Sequence, residues 1–261
     1  MDSSDLKVLA IKEDGTEQKL KRPIHPHLPN IATGQVLIIV SPVKTGKSSL
    51  ISNLFLNPAM YKDQFDLVYV ISNTINNDRT SRFLKKEFSE TCYDNLEDID
   101  KIIQNIMDYQ DSFPRGQKPF ISVVLDDFLG IKKSAKINHF VTRSRHYNCG
   151  LLIFATQVFR GLSTAVRSNA TAVVIGSPNP NEKELMKMAE EYGGAVGGER
   201  KFLELYKEAT PNPYDFMYID LQSNPTKVYS TFQKLIYEHR DKYSGAVDID
   251  SIMDKKEDEE E

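Results

Sequence analysis

The segment QVLIIVSPVKTGKSSLISNL, from Gln35 to Leu54, constrains this chain more than any other. An apolar run from Val36 to Val40 breaks into a short loop, the loop ends in Gly46-Lys47-Ser48-Ser49, and an apolar-periodic segment follows. That pattern reads as strand, loop and helix. Such a loop presents unpaired backbone N–H groups together with the positive end of a helix dipole, which suits a phosphate chain. The match to G-x-x-x-x-G-K-[ST] has one departure: Ser41 stands at the first glycine, so a residue with a Cβ must make the turn there, beside the fixed φ of Pro42. Ser41, Pro42, Val43, Lys44, Thr45, Gly46, Lys47, Ser48 and Ser49 are the candidate nucleotide-binding residues. In this pattern Lys47 reaches the β/γ-phosphates and the Ser48 hydroxyl ligates Mg²⁺.

A second run supplies carboxylates. Phe120 to Leu125 is apolar and leads directly into Asp126-Asp127, which places two acids at the carboxyl end of a strand. Beside a phosphate loop, the first acid is expected to hold Mg²⁺ and the second to polarise the attacking water. Neighbouring residues on a strand point to opposite sides, so the two acids are expected to take different jobs. Cys149 to Gln157, CGLLIFATQ, is a further strand. Its terminal Gln157 is placed to touch the γ-phosphate or the attacking water.

The rest of the chain frames these pieces. With 261 residues, 40% apolar and 27% charged, it is expected to form one globular domain with appendages. Residues 1–33 read as an N-terminal extension, with a hairpin at Lys7 to Leu20 and a proline-rich connector at Arg22 to Asn30. Residues 34–240 read as the core, and 241–261 as an acidic, disordered tail. Phe65 to Ser72 is a buried strand opening into the polar loop Asn73 to Arg79, at the sheet edge where ligands bind in open α/β folds. Helices are expected at Asn95 to Tyr109, in the basic stretch 131–148, and at Asn181 to Tyr192. Thr171 to Gly176 is a strand, Tyr192 to Gly198 a flexible loop, and Tyr214 to Leu221 with Thr226 to Thr231 an edge hairpin. The sum is an α/β fold: a mostly parallel sheet sandwiched by helices.

Charge and cysteines narrow the classes. A net charge of -4 excludes a uniformly basic nucleic-acid binder and leaves room for a local basic channel, for which Lys132, Lys133 and Lys136 are available. Cys92 and Cys149, without metal-type spacing or a secretory leader, are expected to be buried thiols in a reducing compartment. His25 and His27 lack a partner cluster and read as surface residues. No window approaches the roughly 20 apolar residues of a membrane span.

Four stretches carry a resemblance: SPVKTGKSS, the strand ending VVLDD, SRHYN at 144–148 directly before a strand ending in ATQ, and AVRSNATAVVIG. Together they resemble the genome-packaging ATPases of large DNA viruses and their virophages, the poxvirus-type branch of the HerA/FtsK superfamily, over roughly Gly34 to Tyr229. The resemblance implies a RecA-like (ASCE) P-loop NTPase core that uses ATP and Mg²⁺. It implies a ring, hexameric or pentameric, that pumps double-stranded DNA into a preformed capsid, with capsid or membrane-vertex proteins as partners. The implied location is the host cytoplasm or viral factory, with virion association. Lys47 and Ser48 match the family's phosphate-loop lysine and Mg²⁺-binding hydroxyl, Asp126 its metal-side acid, Asp127 its catalytic acid and Gln157 its strand-end glutamine. An arginine finger from a neighbouring subunit is also implied, with Arg145 the first candidate and Arg143 and Arg167 the others. Three other readings stay open: a HerA-like helicase or translocase in repair, a kinase for a small acceptor, and a nucleotide-binding capsid-recruitment scaffold without turnover, which Ser41 favours.

Overall fold

The computed structural model describes residues 18–127, 134–177 and 181–239. The acidic tail, Lys132, Lys133 and nearly all of the expected N-terminal hairpin lie outside them. The described chain builds a nine-stranded sheet in the order β3-β2-β4-β5-β1-β6-β7-β8-β9. Strands β1 (Gln35–Val40), β2 (Leu67–Ser72), β3 (Cys92–Tyr93), β4 (Ile121–Asp126), β5 (Cys149–Thr156) and β6 (Ala172–Gly176) run parallel. Then β7 (Phe216–Asp220), β8 (Thr226–Ser230) and β9 (Lys234–His239) continue the sheet antiparallel.

The central strands are continuous apolar runs because both of their faces are covered. Along β1, Val36, Ile38 and Val40 enter one core cluster while Leu37 and Ile39 enter the other, as the two-residue period of a strand requires. The first cluster is closed by α3 (Ile99–Asp111), α4 (Ala135–Arg143), α6 (Glu182–Tyr192) and α7 (Glu199–Ala209). The second is closed by α1 (Lys47–Leu56), with Leu84 of α2 (Arg82–Glu87), Leu28 of the connector and Ile31 just after it. Tyr61, almost fully buried, donates to the carbonyl of Pro29 at 2.7 Å and ties that connector to the core.

Several expectations change. The stretch Gly193–Val196 is a 3-10 turn with Val196 fully buried, not a flexible loop; Gly197 and Gly198 then take φ of 95° and 112° to turn the chain into α7. The signal for α7 stands in the sequence, since Phe202, Leu205, Tyr206 and Ala209 recur at helical spacing and all are buried. Each such large side chain contributes roughly 1.5–3 kcal/mol by leaving water. Strands β3 and β9 are additional to those expected; two residues are too few to give a pattern, and β9 is only half buried. Cys149 is buried, but Cys92 is only partly so, against the expectation for a pair of buried thiols. Among the described residues no helix is long and apolar enough to cross a membrane.

Candidate active site

The phosphate loop starts where β1 ends. The Ser41 amide donates to the Thr156 carbonyl at 3.0 Å, which carries the β1–β5 ladder one step into the loop. Its side chain is buried, hydrogen-bonded to the Thr45 hydroxyl, which itself donates to the Pro42 carbonyl at 2.7 Å. Ser41 has room because Gly176 on β6 lacks a Cβ: one built there would come within 2.2 Å of the serine oxygen. The left-handed residues of the turn are Lys44 and Gly46, with φ of 64° and 92°. The turn is therefore made after Ser41 and Pro42 rather than at them, and a glycine at position 41 is not required. Gly46 is the N-cap of α1, and no described side chain caps that end, so the first-turn N–H groups of α1 are left for a ligand.

Lys47 opens α1 and reaches both acids. Its ammonium nitrogen lies 2.9 Å from Asp126 Oδ1 and forms a closer ion pair and hydrogen bond with Asp127 Oδ1. The strands that bring them together are not neighbours, since β5 lies between β1 and β4. The expected opposite orientation of the two acids also fails. Asp126 ends β4, and Asp127 adopts a left-handed φ of 52°, which turns its carboxylate back to the same lysine. The Thr74 hydroxyl donates to Asp127 Oδ2 at 2.7 Å, and the Gln157 amide approaches Oδ1 at 3.5 Å, the limit of hydrogen bonding. Ser72 donates to Asp126 Oδ2 at 3.3 Å.

Burial and pairing separate the two acids electrostatically. Burial pushes the Asp126 carboxyl up, and the attraction of Lys47 does not fully offset it. Burial acts the same way on Asp127 but is outweighed by Lys47, Thr74 and Gln157, so that carboxyl sits below its usual range. Burial alone would lower Lys47; the two carboxylates hold its ammonium above the ordinary value instead. Asp127 is thus the more readily ionised acid, with a carboxylate able to accept a hydrogen bond from water.

The donor set fits a magnesium ion. Asp126 Oδ1 is buried and, despite its ion-pair contact with Lys47, receives no well-directed hydrogen bond among the described residues. No group of three or more His, Cys, Asp or Glu side chains able to hold a metal occurs among the described residues. Mg²⁺ brought in on phosphates needs only one or two protein oxygens, and Ser48 and Asp126 are the residues that would supply them. Burial would raise the Asp78 carboxyl, but Ser48, Thr80 and Ser81 hold it low. Thr74 and Asp78 stand in the polar loop after β2, which the sequence marks only as a ligand-side loop.

The candidate arginines lie elsewhere. Arg145 is exposed in the 3-10 turn before β5 and packs beside Gly34, at the amino end of the sheet, whereas Lys47 is at the carboxyl end. Arg143 is exposed at the end of α4. Arg167 is held within its own subunit by Glu191 at 3.3 Å, the Leu162 carbonyl at 2.8 Å and the Phe159 ring. None of the three joins Lys47 and the acids within the chain. Lys136, also exposed, bonds Gln104 on α3.

On the other side of Lys47 a cleft of about 630 Å³ opens between the loop and the β7–β9 region. Its aromatic wall, Tyr214, Phe216 and Phe232, has no counterpart among the motif residues.

This sheet order, with an extra strand between the loop-bearing and the acid-bearing strands, and this meeting of Lys47 with Asp126 and Asp127 define a P-loop NTPase fold of the RecA-like type. Among solved structures the chain is similar to the genome packaging NTPase B204 of Sulfolobus turreted icosahedral virus 2 in complex with AMPPCP: 18% identity, TM-score 0.54, covering 76% of this chain and 98% of that one. The same protein with ATP-gammaS gives 20% identity and TM-score 0.53 over 77% and 98% of the two chains. The DNA-packaging ATPase B204 of Sulfolobus Turreted Icosahedral Virus gives 19% and 0.53 over 78% and 99%. No protein-family model and no curated protein matches the chain.

Proposed function

We propose that this protein hydrolyses Mg²⁺·ATP to move double-stranded DNA, as a genome-packaging motor that assembles as a ring. The observation that carries the reading is the convergence of Lys47, Asp126 and Asp127, with Gln157 beside them, at the carboxyl end of the parallel strands. The likeness in fold to B204, a genome packaging NTPase solved with ATP analogues, supports the choice among P-loop functions. The left-handed turn falls at Lys44 and Gly46 rather than at Ser41, which weakens the case for a scaffold without turnover.

In this reading the α1 N-terminus and Lys47 hold the β/γ-phosphates. Ser48 and Asp126 would hold Mg²⁺, which would supply positive charge to the phosphate oxygens. The ionised Asp127 accepts a hydrogen bond from the attacking water and orients it, and Gln157 contacts that carboxylate from the adjacent strand, so it can report phosphate state to the DNA-facing loops. A cation from the neighbouring subunit, Arg145 or Arg143 from their exposed positions, completes the site in the ring. The protein would work where capsids are filled, in the host cytoplasm or viral factory, and engage capsid or membrane-vertex proteins there.

Steady-state ATPase activity with and without double-stranded DNA tests the proposal in wild type, Lys47→Ala and Asp127→Asn. Turnover stimulated by DNA and lost in both variants is expected. DNA-independent turnover that survives Asp127→Asn would remove the motor assignment.

A further inference from the structure

The cleft beside the phosphate loop is built in two halves of different chemistry. Thr45, Gly46, Lys47 and Ser49 form one end, and Lys47 is the single charged residue among the described residues that line it. The apolar lining is Leu50, Met60, Tyr214, Phe216 and Phe232. A ligand there meets the phosphate loop on one side and aliphatic and aromatic side chains on the other. Ligand sites of this size commonly combine apolar walls with a few polar groups, and here Thr231 and Gln233 supply those at the rim.

Tyr214 is the unusual member. Its side chain is large and apolar yet 67% exposed, and its φ is 70°, a conformation that a non-glycine residue seldom adopts. Its ring lies against Gly46, with Cδ1 3.5 Å from where a Cβ on that glycine would stand. The turn before β7 holds it in place: Asp215 Oδ2 accepts from the Asn212 amide at 2.9 Å and from its side chain at 3.1 Å, and the Asp215 carbonyl accepts from the Ser177 amide at 3.0 Å. Across the cleft mouth a second non-glycine residue, Thr231, has φ of 54°, and its amide donates to the Phe216 carbonyl at 2.8 Å. Two left-handed turns, each secured by hydrogen bonds, thus frame an exposed aromatic ring next to the phosphate loop. Backbone strain kept in this way is characteristic of ligand clamps.

We propose that this cleft is the nucleobase subsite and that Tyr214 is the platform on which the base stacks, so that affinity for the base comes mainly from stacking rather than from reading its hydrogen-bonding edge. The proposal rests on the reading of residues 41–49 as the phosphate loop. It goes beyond that reading by assigning the base to the β7–β9 addition, on which no loop motif stands.

Calorimetric titration with Mg²⁺·AMPPNP and with inorganic tripolyphosphate, in wild type, Tyr214→Ala, Tyr214→Phe and Lys47→Ala, separates the two ends of the cleft. Tyr214→Ala is expected to weaken AMPPNP about tenfold and to leave tripolyphosphate unchanged, with Tyr214→Phe close to wild type. Equal effects of Tyr214→Ala on both ligands, or none on AMPPNP, overturn the base subsite while the phosphate loop stands. Tripolyphosphate binding that Lys47→Ala leaves intact overturns the phosphate loop itself, and the subsite with it.

Discussion

The Thr74 hydroxyl, from the loop that follows β2, donates to Asp127 Oδ2 at 2.7 Å, on the carboxylate whose other oxygen is bound by Lys47. Thr74 therefore helps set the direction of the acid. A hydrogen bond to a charged group contributes about 1.5–3 kcal/mol. If it orients Asp127 in the reacting complex, Thr74→Ala should lower kcat by about tenfold or more, with little change in KM. Thr74→Ser should restore most of the loss. A parallel rise in KM, or a serine variant no better than alanine, would show that the threonine acts by packing alone.

Lys47 and Asp126 form a buried ion pair, with side chains only 8% and 6% exposed. Removing one partner of such a pair leaves an uncompensated charge and costs about 3–5 kcal/mol. Denaturant unfolding of the nucleotide-free protein should thus show a large loss for Lys47→Ala, beyond its loss of turnover. Adding Asp126→Asn should recover part of that loss. A double variant as unstable as the sum of the single ones would mean that the two groups do not interact.

Lys21, just before the connector, pairs with Asp66, just before β2, at 2.8 Å, and Asp66 also accepts from the Phe120 amide at 2.8 Å. Burial opposes ionisation of Asp66, but these partners outweigh it and hold the carboxyl below its usual range. A carboxyl lowered in the folded state stabilises above its unfolded pKa, about 3.9, and that contribution is lost as pH falls through the lower folded value. Asp66→Asn should therefore be less stable than wild type at pH 6, by a few tenths to about 1 kcal/mol after solvent screening. The gap should close below about pH 4. A gap that widens on acidification would contradict this sign.

The parts of the fold legible beforehand are those encoded within a few consecutive residues. Val36 to Val40 with Gly46-Lys47-Ser48 specify strand, loop and helix, because backbone donors at a helix start need no distant partner. The runs that become β2, β4, β5 and β6 were readable from their apolar, β-branched content. Gln157 lay at a strand end and proved to be beside Asp127. Thr74 and Asp78 gave no signal of their own beyond a polar loop, since nothing local tells which hydroxyl will face which acid.

By itself, then, the sequence determined the phosphate loop, the acids that would serve it and the mostly parallel sheet. Only the tertiary structure decided that β5 separates β1 from β4, that the left-handed Asp127 turns to the same lysine as Asp126, and that Tyr214 closes the cleft beside Gly46. The division has a physical cause. Hydrogen-bond geometry and side-chain periodicity act over a turn or a strand, whereas Lys47 and Asp127, 80 residues apart, meet only because burial of both sheet faces selects one strand order.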